Sequence, residues 1–415
     1  MNDLDPLAAL PGPADRRVAA RITKDALRQV RSGHPWIFDG SITSVSHDGA
    51  AGDLAVVFDD KRKFAAIGLY DPDSPIRIRV LHVGPPRAID QAHWTERIAS
   101  ALDRRRSLVD DAATTGYRCV HGENDGLPGL VIDRYDETAV VKVYSAAWIP
   151  HFRDVVRAFV DLTGVERVVA RTSRTVATGP TADLQDGSAL VGTLPVGPVT
   201  FREHGLAFEA DVVRGQKTGH FLDQRENRRL VGERSAGARV LDVFCCTGGF
   251  SVHAAAGGAS EVHSVDLSQP ALDTAKRNMA ANRDRPAVAA ARHAVTCGDA
   301  FEVLESLASR GERYDVVVID PPSFASRSDQ VDRALRAYAH LTRLGLAVVR
   351  PGGMLVQSSC SSRIDEQAFH RTIRESATAQ GAVLTEWRRT THAVDHPVGF
   401  AEGAYLKTLF ATVGR

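Results

Sequence analysis

The chain is expected to end in a doubly wound α/β domain, preceded by two smaller, strand-rich units. Three observations lead to that expectation. From Ala238 onward short apolar runs alternate with helical stretches, the pattern of a largely parallel sheet covered by helices. Between Arg17 and about Val83 short strands, several of them alternating apolar with polar, are separated by turn clusters. Finally, 415 residues exceed one compact unit of roughly 100–200 residues, so two to three domains are expected.

Taken in order, the first unit has strands at Ala20–Ile22, Trp36–Phe38, Leu54–Phe58, Phe64–Tyr70 and Ile76–Leu81, with turns such as Asp71-Pro72-Asp73-Ser74-Pro75 between them. This is a small β-barrel-like domain, closed by Pro85-Pro86. A helical period follows from about Asp90 to Asp110, with a charged Arg104-Arg105-Arg106 face. The turn-rich segment Gly122–Gly129 opens a central α+β unit with strands at Val131-Ile132, Ala139–Val143 and Arg167–Arg171 and a helix over about 150–162. Loose Gly/Thr/Ser-rich residues 173–193 lead to a hairpin over Val199–Val213. In the last domain, strands fit at Val240–Phe244, Val262–Val265, His293–Thr296, Val316–Ile319, Met354–Gln357, Val383–Trp387 and Tyr405–Phe410. No internal repeat is visible.

Composition narrows the function classes. With 43% hydrophobic and 25% charged residues the chain can bury sizeable cores, which excludes a disordered or low-complexity protein. The 51 basic and 51 acidic residues cancel, which removes the case for a polyanion-coating protein, although a balanced total can hide local patches. Nearly all the basic residues are Arg, a bias that high-GC coding explains more readily than phosphate recognition. The longest stretch without Asp, Glu, Lys or Arg, Val243–Ser260, holds four Gly along with Thr, Ser and His, and reads as a loop and buried helix rather than a membrane span. The acidic start Met1-Asn2-Asp3-Leu4-Asp5 lacks the pattern of a secretory signal. The five Cys, at 119, 245, 246, 297 and 360, form neither a disulfide framework nor a CxxC metal pair. Reduced cytoplasmic thiols and no bound metal are expected.

Chemistry concentrates at the expected carboxyl ends of the strands. Strand one runs into Asp242-Val243-Phe244-Cys245-Cys246-Thr247-Gly248-Gly249, where glycines let backbone approach a ligand. Asp266 closes the next strand about 20 residues on, the place of a carboxylate that holds ribose hydroxyls. The full G-x-G-x-x-G is missing, and that fingerprint seats a pyrophosphate. An adenosine cofactor without phosphates fits better, and S-adenosylmethionine is one. Asp299, after strand three, can accept from an adenine amino group. Asp320-Pro321-Pro322 ends strand four, and Ser358-Ser359-Cys360-Ser361-Ser362 ends strand five. A Cys among serines at a strand end is poor core composition, so Cys360 reads as a nucleophile facing the pocket of Asp320. Cys245 and Cys246 read as small residues of the cofactor turn, Cys119 and Cys297 as structural.

These residues, together with Gly33-His34-Pro35-Trp36-Ile37-Phe38, Asn124–Tyr135, Gly215–Arg225, Asp395-His396-Pro397-Val398 and Glu402–Lys407, resemble the bacterial 23S ribosomal RNA (cytosine-5) methyltransferases. The resemblance spans nearly the whole chain, leaving out residues 1–14. It implies an RNA-binding PUA-like β-barrel over 15–86, a central α+β domain over 87–195, and a class I Rossmann-like methyltransferase domain over 196–415. It also implies that S-adenosylmethionine binds through Phe244, Gly248, Asp266 and Asp299, with Gln216, Lys217 and Arg225 nearby. Cys360 and Asp320 would be catalytic, and Pro321 and Pro322 would meet the base. The implied partner is 23S ribosomal RNA, with no membrane, and a homodimer is left open. Two departures stand out. His220 occupies a position where a second aromatic is common, and Cys245-Cys246 replace the usual residues of the cofactor turn.

Carbon 5 of cytosine is too weak a nucleophile to take a methyl group unaided, which is why a thiolate adding at carbon 6 is needed. One alternative is an amine or guanine N-methyltransferase gripping an amino group through Asp320-Pro321-Pro322. The other is a non-catalytic RNA-binding assembly factor. As the base that removes the carbon 5 proton, Asp395 and His396 are candidates, although a turn-stabilising role suits Asp-His-Pro better.

Overall fold

The computed structural model describes residues 7–173, 176, 184–325 and 327–414. The acidic start at 1–5 lies outside the described residues, as do 174–175 and 177–183 of the loose segment. The chain divides into two compact units. The first comprises Met1–Arg202, Ala210–His220 and Val394–Phe400, and the second Glu203–Glu209, Phe221–Ala393 and Ala401–Arg415.

Within the first unit, β1 (Val18–Ile22), β2 (Trp36–Phe38), β3 (Ile42–Val45), β4 (Leu54–Phe58), β5 (Phe64–Tyr70) and β6 (Ile76–Val83) form one sheet in the order β2-β6-β5-β4-β1-β3. Strand β1 alternates strictly, with Val18, Ala20 and Ile22 buried and the residues between them exposed. A helix over Lys24–Arg31, absent from the sequence expectation, buries Ala26, Leu27 and Val30 and is capped by Thr23, whose side chain accepts from the Ala26 N–H at 3.3 Å. Eight mostly polar residues are too short a window for its period to stand out.

The same unit carries a second sheet, built from β7 (Gly116–His121), β8 (Leu130–Tyr135), β9 (Thr138–Val143), β10 (Arg167–Thr172) and β11 (Ala189–Val191) in the order β11-β10-β9-β8-β7. Helix Phe152–Thr163 packs Phe152, Val155, Val156 and Phe159 into its core. The helical stretch expected over 90–110 is two helices, Gln91–Asp103 and Arg106–Val109. Its charged face needs a correction, because Arg105 is fully buried. The guanidinium meets both carboxylate oxygens of Asp125 at 3.1 and 2.7 Å and also donates to the carbonyls of Ala101, Arg118 and Asp395. A run of three Arg shows charge, not which of the three the fold turns inward.

A short hairpin, β12 (Val199–Glu203) and β13 (Leu206–Ala210), stops three residues short of the expected span. The second unit is then dominated by β14 (Arg239–Val243), β15 (Glu261–Asp266), β16 (Arg292–Cys297), β17 (Tyr314–Ile319), β18 (Val349–Ser359), β19 (Val383–Thr390) and β20 (Lys407–Gly414). Their order is β16-β15-β14-β17-β18-β20-β19. The first five run parallel to one another, whereas β20 runs antiparallel to both β18 and β19, so the sheet is mixed rather than wholly parallel.

Alternate residues of the central strands feed cores on the two faces. Leu241, Val243, Val317, Ile319 and Leu355 pack with Leu304, Leu341 and Leu346 on one side. Val240, Val316, Val318 and Val356 pack with Phe250, Ala254 and Met279 on the other. Burial on both faces is why these strands read as continuous apolar runs. Chain order reverses between β14 and β17, so the crevice of this sheet opens at the carboxyl ends of those two strands.

Candidate active site

The turn after β14 is built from left-handed backbone. Phe244, Cys246 and Gly248 have φ of 64°, 51° and 77°. Two of the three carry side chains, a conformation that costs energy and recurs at ligand sites. At Gly248 a side chain has no room, since an added Cβ would lie 2.7 Å from the Ala275 Cβ. The turn is closed by the Gly248 N–H donating to the Cys245 carbonyl at 2.8 Å, and helix Gly249–Ala256 starts directly after it.

Asp266, the last residue of β15, accepts one backbone N–H on each oxygen, from Cys246 at 2.8 Å and from Ser268 at 2.9 Å. Two carboxylate oxygens offer about four acceptor sites, so acceptor capacity remains. Asp242 lies one residue inside the carboxyl end of β14 and is wholly buried. Its Oδ2 accepts from the Ser251 N–H and hydroxyl, while Oδ1 has no hydrogen-bond partner among the described residues. Burial pushes its carboxyl up to about 7. Asp299 is exposed and caps helix Ala300–Ser309, with Oδ1 accepting from the N–H groups of Phe301 and Glu302.

Asp320 follows β17. Burial pushes its carboxyl up to about 7, and the nearby Asp223 adds to the shift. Its Oδ1 accepts from the Gln224 side-chain amide at 2.8 Å. Gln224 is held in turn, because its Oε1 accepts from Asn227, which also donates to Thr408 and accepts from Thr390. At the end of β18 the Cys360 thiol donates to the Pro321 carbonyl at 3.8 Å. Ser361 Oγ lies 2.9 Å from Ser323 Oγ, a second tie between the two strand ends. Cys360 is partly exposed, as is Asp320, while Pro321 is buried and Pro322 exposed. In the turn after β14, burial pushes the Cys246 thiol up to about 11 and that of Cys245 higher still.

A family model described as S-adenosylmethionine-dependent methyltransferase matches residues 128–394, and one for a PUA-like domain matches 20–82. The chain belongs to the S-adenosylmethionine-dependent methyltransferase family. It is 44% identical over 405 residues to a ribosomal RNA large subunit methyltransferase of Deinococcus radiodurans, covering 96% of this chain and 98% of the relative. It is 34% identical over 389 residues to the ribosomal RNA large subunit methyltransferase I of Pseudoalteromonas translucida, covering 93% and 97%. Among solved structures, a SAM-dependent methyltransferase from Streptococcus mutans shares the fold with a TM-score of 0.79 at 21% identity, covering 95% of this chain and 99% of that one. A methyltransferase solved with SAH gives 0.81 at 20%, with the same coverage.

For this methyltransferase the residues present fit the cofactor. The left-handed turn brings bare backbone to the crevice at Gly248, Asp266 keeps acceptor capacity at the end of β15, and Asp242 holds an unpaired oxygen beneath the turn. The second unit thus gathers Phe244, Gly248, Asp266, Asp299, Asp320, Pro321, Pro322 and Cys360 at the carboxyl ends of one sheet's strands. Arg225 is in the same unit, fully buried, with Nε 3.3 Å from Glu226. Gln216 and Lys217 belong to the first unit. So do Asp395 and His396, both buried, with His396 Nδ1 3.0 Å from Asp395 and Asp395 accepting from the Arg118 N–H, which favours the turn-stabilising role over the proton-removing one. His220 fills its aromatic position by an edge contact with Phe201, ring centroids 5.1 Å apart. Cys119 is buried as a structural residue should be, but Cys297 is exposed.

Sequence reasoning missed Asp242, Gln224, Asn227 and the backbone N–H of Cys246. Asp242 stood inside the quoted strand end, and Gln224 next to Arg225. What was lacking was any sign of which polar groups the fold buries without a counter-charge.

Proposed function

We propose that the protein methylates carbon 5 of a cytosine in 23S ribosomal RNA of the large subunit, with Cys360 as nucleophile and Asp320 as proton donor. The observation that carries this reading is the 3.8 Å contact from the Cys360 thiol to the Pro321 carbonyl, one residue from Asp320. The relatives named for large-subunit ribosomal RNA supply the substrate class. Phe244, Gly248, Asp266 and Asp299 hold the cofactor. Gln216, Lys217 and Arg225 join them on resemblance alone, as do the domain limits 15–86, 87–195 and 196–415.

Bound S-adenosylmethionine supplies an electrophilic methyl group on a sulfonium. The Cys360 thiolate adds to carbon 6, and the electron pair released from the 5,6 double bond makes carbon 5 nucleophilic. Charge that would build on the ring is quenched at N3 by the Asp320 carboxyl, which burial keeps protonated close to neutrality. Gln224, fixed by Asn227, holds that carboxyl against the base edge. Pro321 and Pro322 stiffen the strand end, so that positioning carries much of the barrier. Once carbon 5 is methylated, a base removes its proton, the carbon–sulfur bond breaks, and N3 returns its proton to Asp320. The substrate base must leave its stack to enter a crevice at strand ends, so locally open RNA is the expected form.

The test is methylation of large-subunit ribosomal RNA by the purified chain, followed by nucleoside mass spectrometry and base-resolution mapping. 5-Methylcytidine is expected. A methyl group on an exocyclic or ring nitrogen would instead favour the amine-methylating alternative, in which Cys360 has no covalent role.

A further inference from the structure

Lys407 opens β20, pairs in register with Ser359 beside Cys360, and is 3% exposed. Its Nζ donates to the carbonyls of Ser361 and Ile364, both at 2.6 Å. Those two carbonyls bracket the turn that begins at Cys360. The third ammonium hydrogen has no acceptor among the described residues, and Lys407 forms no ion pair with a carboxylate there. A buried ammonium without a counter-charge is costly, and such groups concentrate at functional sites.

The charges around the turn single it out. Burial pushes the Lys407 ammonium down to about 8, and the largest opposing influence is Cys360, ahead of Asp365 and Glu366. Asp365 caps helix Glu366–Ala379 by accepting from the Ala368 N–H, and Glu366 lies 3.4 Å from His370, whose own proton affinity burial lowers. Tyr338 places its hydroxyl 3.4 Å from Ser361 Oγ, and burial pushes that phenol up. Asp320 is the remaining acid at these strand ends. Arg363, inside the same turn, is also cationic but exposed to solvent, whereas Lys407 is the buried cation of the group and two carbonyls already fix its position.

We propose that Lys407 is a positioning residue for Cys360: its ammonium pins the turn that carries the thiol and supplies the positive charge that favours the thiolate. This rests on the reading of Cys360 as the nucleophile. As a thiol, Cys360 donates to the Pro321 carbonyl at 3.8 Å. When it ionises, the anion gains a cation that burial has kept short of partners, which lowers the cost of forming the nucleophile at neutral pH.

The experiment is alkylation of Cys360 by iodoacetamide as a function of pH in the full chain without RNA, followed by peptide mass spectrometry. Lys407→Met, which keeps the length and removes the charge, should raise the midpoint of Cys360 alkylation by about one pH unit. Superimposable profiles in two proteins of equal melting temperature would overturn the proposal. Should the variant fail to fold, the wild type decides alone. A midpoint below the ordinary cysteine value of about 8.5 supports the proposal, and one at or above it overturns it. Because no methyl transfer is needed, a chain that passes this test yet makes no 5-methylcytidine would uphold Lys407 and sink the assigned reaction.

Discussion

In the first unit Arg105 has no exposed surface, and every described partner is an oxygen: both oxygens of Asp125 and the carbonyls of Ala101, Arg118 and Asp395. Arg118 meets Asp133 in the same two-pronged way, at 2.7 and 2.9 Å. At the strand ends of the second unit the pattern is reversed. Asp242 and Asp320 are acids that burial pushes up to about 7, and Lys407 is a buried ammonium held only by carbonyls. The second unit can match buried charge elsewhere, since Glu203 and Arg228 form a buried pair at 2.6 Å. Matched and unmatched buried charge thus stand side by side in the second unit. Breaking a matched buried pair destabilises a fold, whereas unmatched buried charge is the kind that concentrates at functional sites.

That contrast can be broken from either side. On the reactive side, Cys360→Ser keeps the size but replaces the thiol by a hydroxyl with no activating base. Turnover should fall on the order of 10³-fold or more while cofactor binding persists, as single-turnover assays and calorimetry would report. On the structural side, Arg105→Met takes the buried guanidinium away from the buried Asp125 carboxylate, leaving it to the exposed Arg104 at 3.1 Å. The cost should be about 3–5 kcal/mol by chemical denaturation, with cofactor affinity of any folded fraction unchanged.

Two smaller effects sharpen the comparison within the crevice. Asp266→Ala should weaken S-adenosylmethionine binding by about 1–3 kcal/mol, the usual loss for a charged hydrogen-bond partner, and unchanged calorimetric affinity would remove Asp266 from the site. Asp242 and Asp320 also keep protons in the native state that the unfolded chain releases near the ordinary aspartate value of about 4. Between that value and about 7 the native state binds more protons, so stability of the cofactor-free protein falls as pH rises. Each acid contributes roughly 1 kcal/mol per pH unit, and Asp320→Asn should remove its share of the slope in denaturation curves across that range.

Much of this architecture was legible because apolar runs and turn chemistry are local. The strands of the last domain, the glycine turn after β14 and the nearness of Pro321 and Cys360 at neighbouring strand ends follow from alternation and from the rule that ligands gather at strand ends. Less legible was whatever depended on partners distant in sequence. The antiparallel placement of β20 is a tertiary choice, yet it brings Lys407 opposite Ser359. The inward turn of Arg105 depends on Asp125, twenty residues away, and the hold on Asp320 on Gln224, ninety-six away. A short polar helix such as Lys24–Arg31 escaped for the opposite reason, since one buried face of three residues leaves too weak a period.

The central claim is that the unmatched charges of the crevice serve a thiolate that bonds to the substrate. It is tested most directly with RNA carrying a cytosine fluorinated at carbon 5, which cannot lose its carbon 5 substituent as a proton after methylation and so holds the adduct. Incubated with S-adenosylmethionine and the wild-type chain, this RNA should become covalently attached, with the cross-link mapping by mass spectrometry to Cys360 and absent from Cys360→Ser. Attachment at Cys245 or Cys246, or 5-methylcytidine formed at near-normal rates by Cys360→Ser, would contradict it.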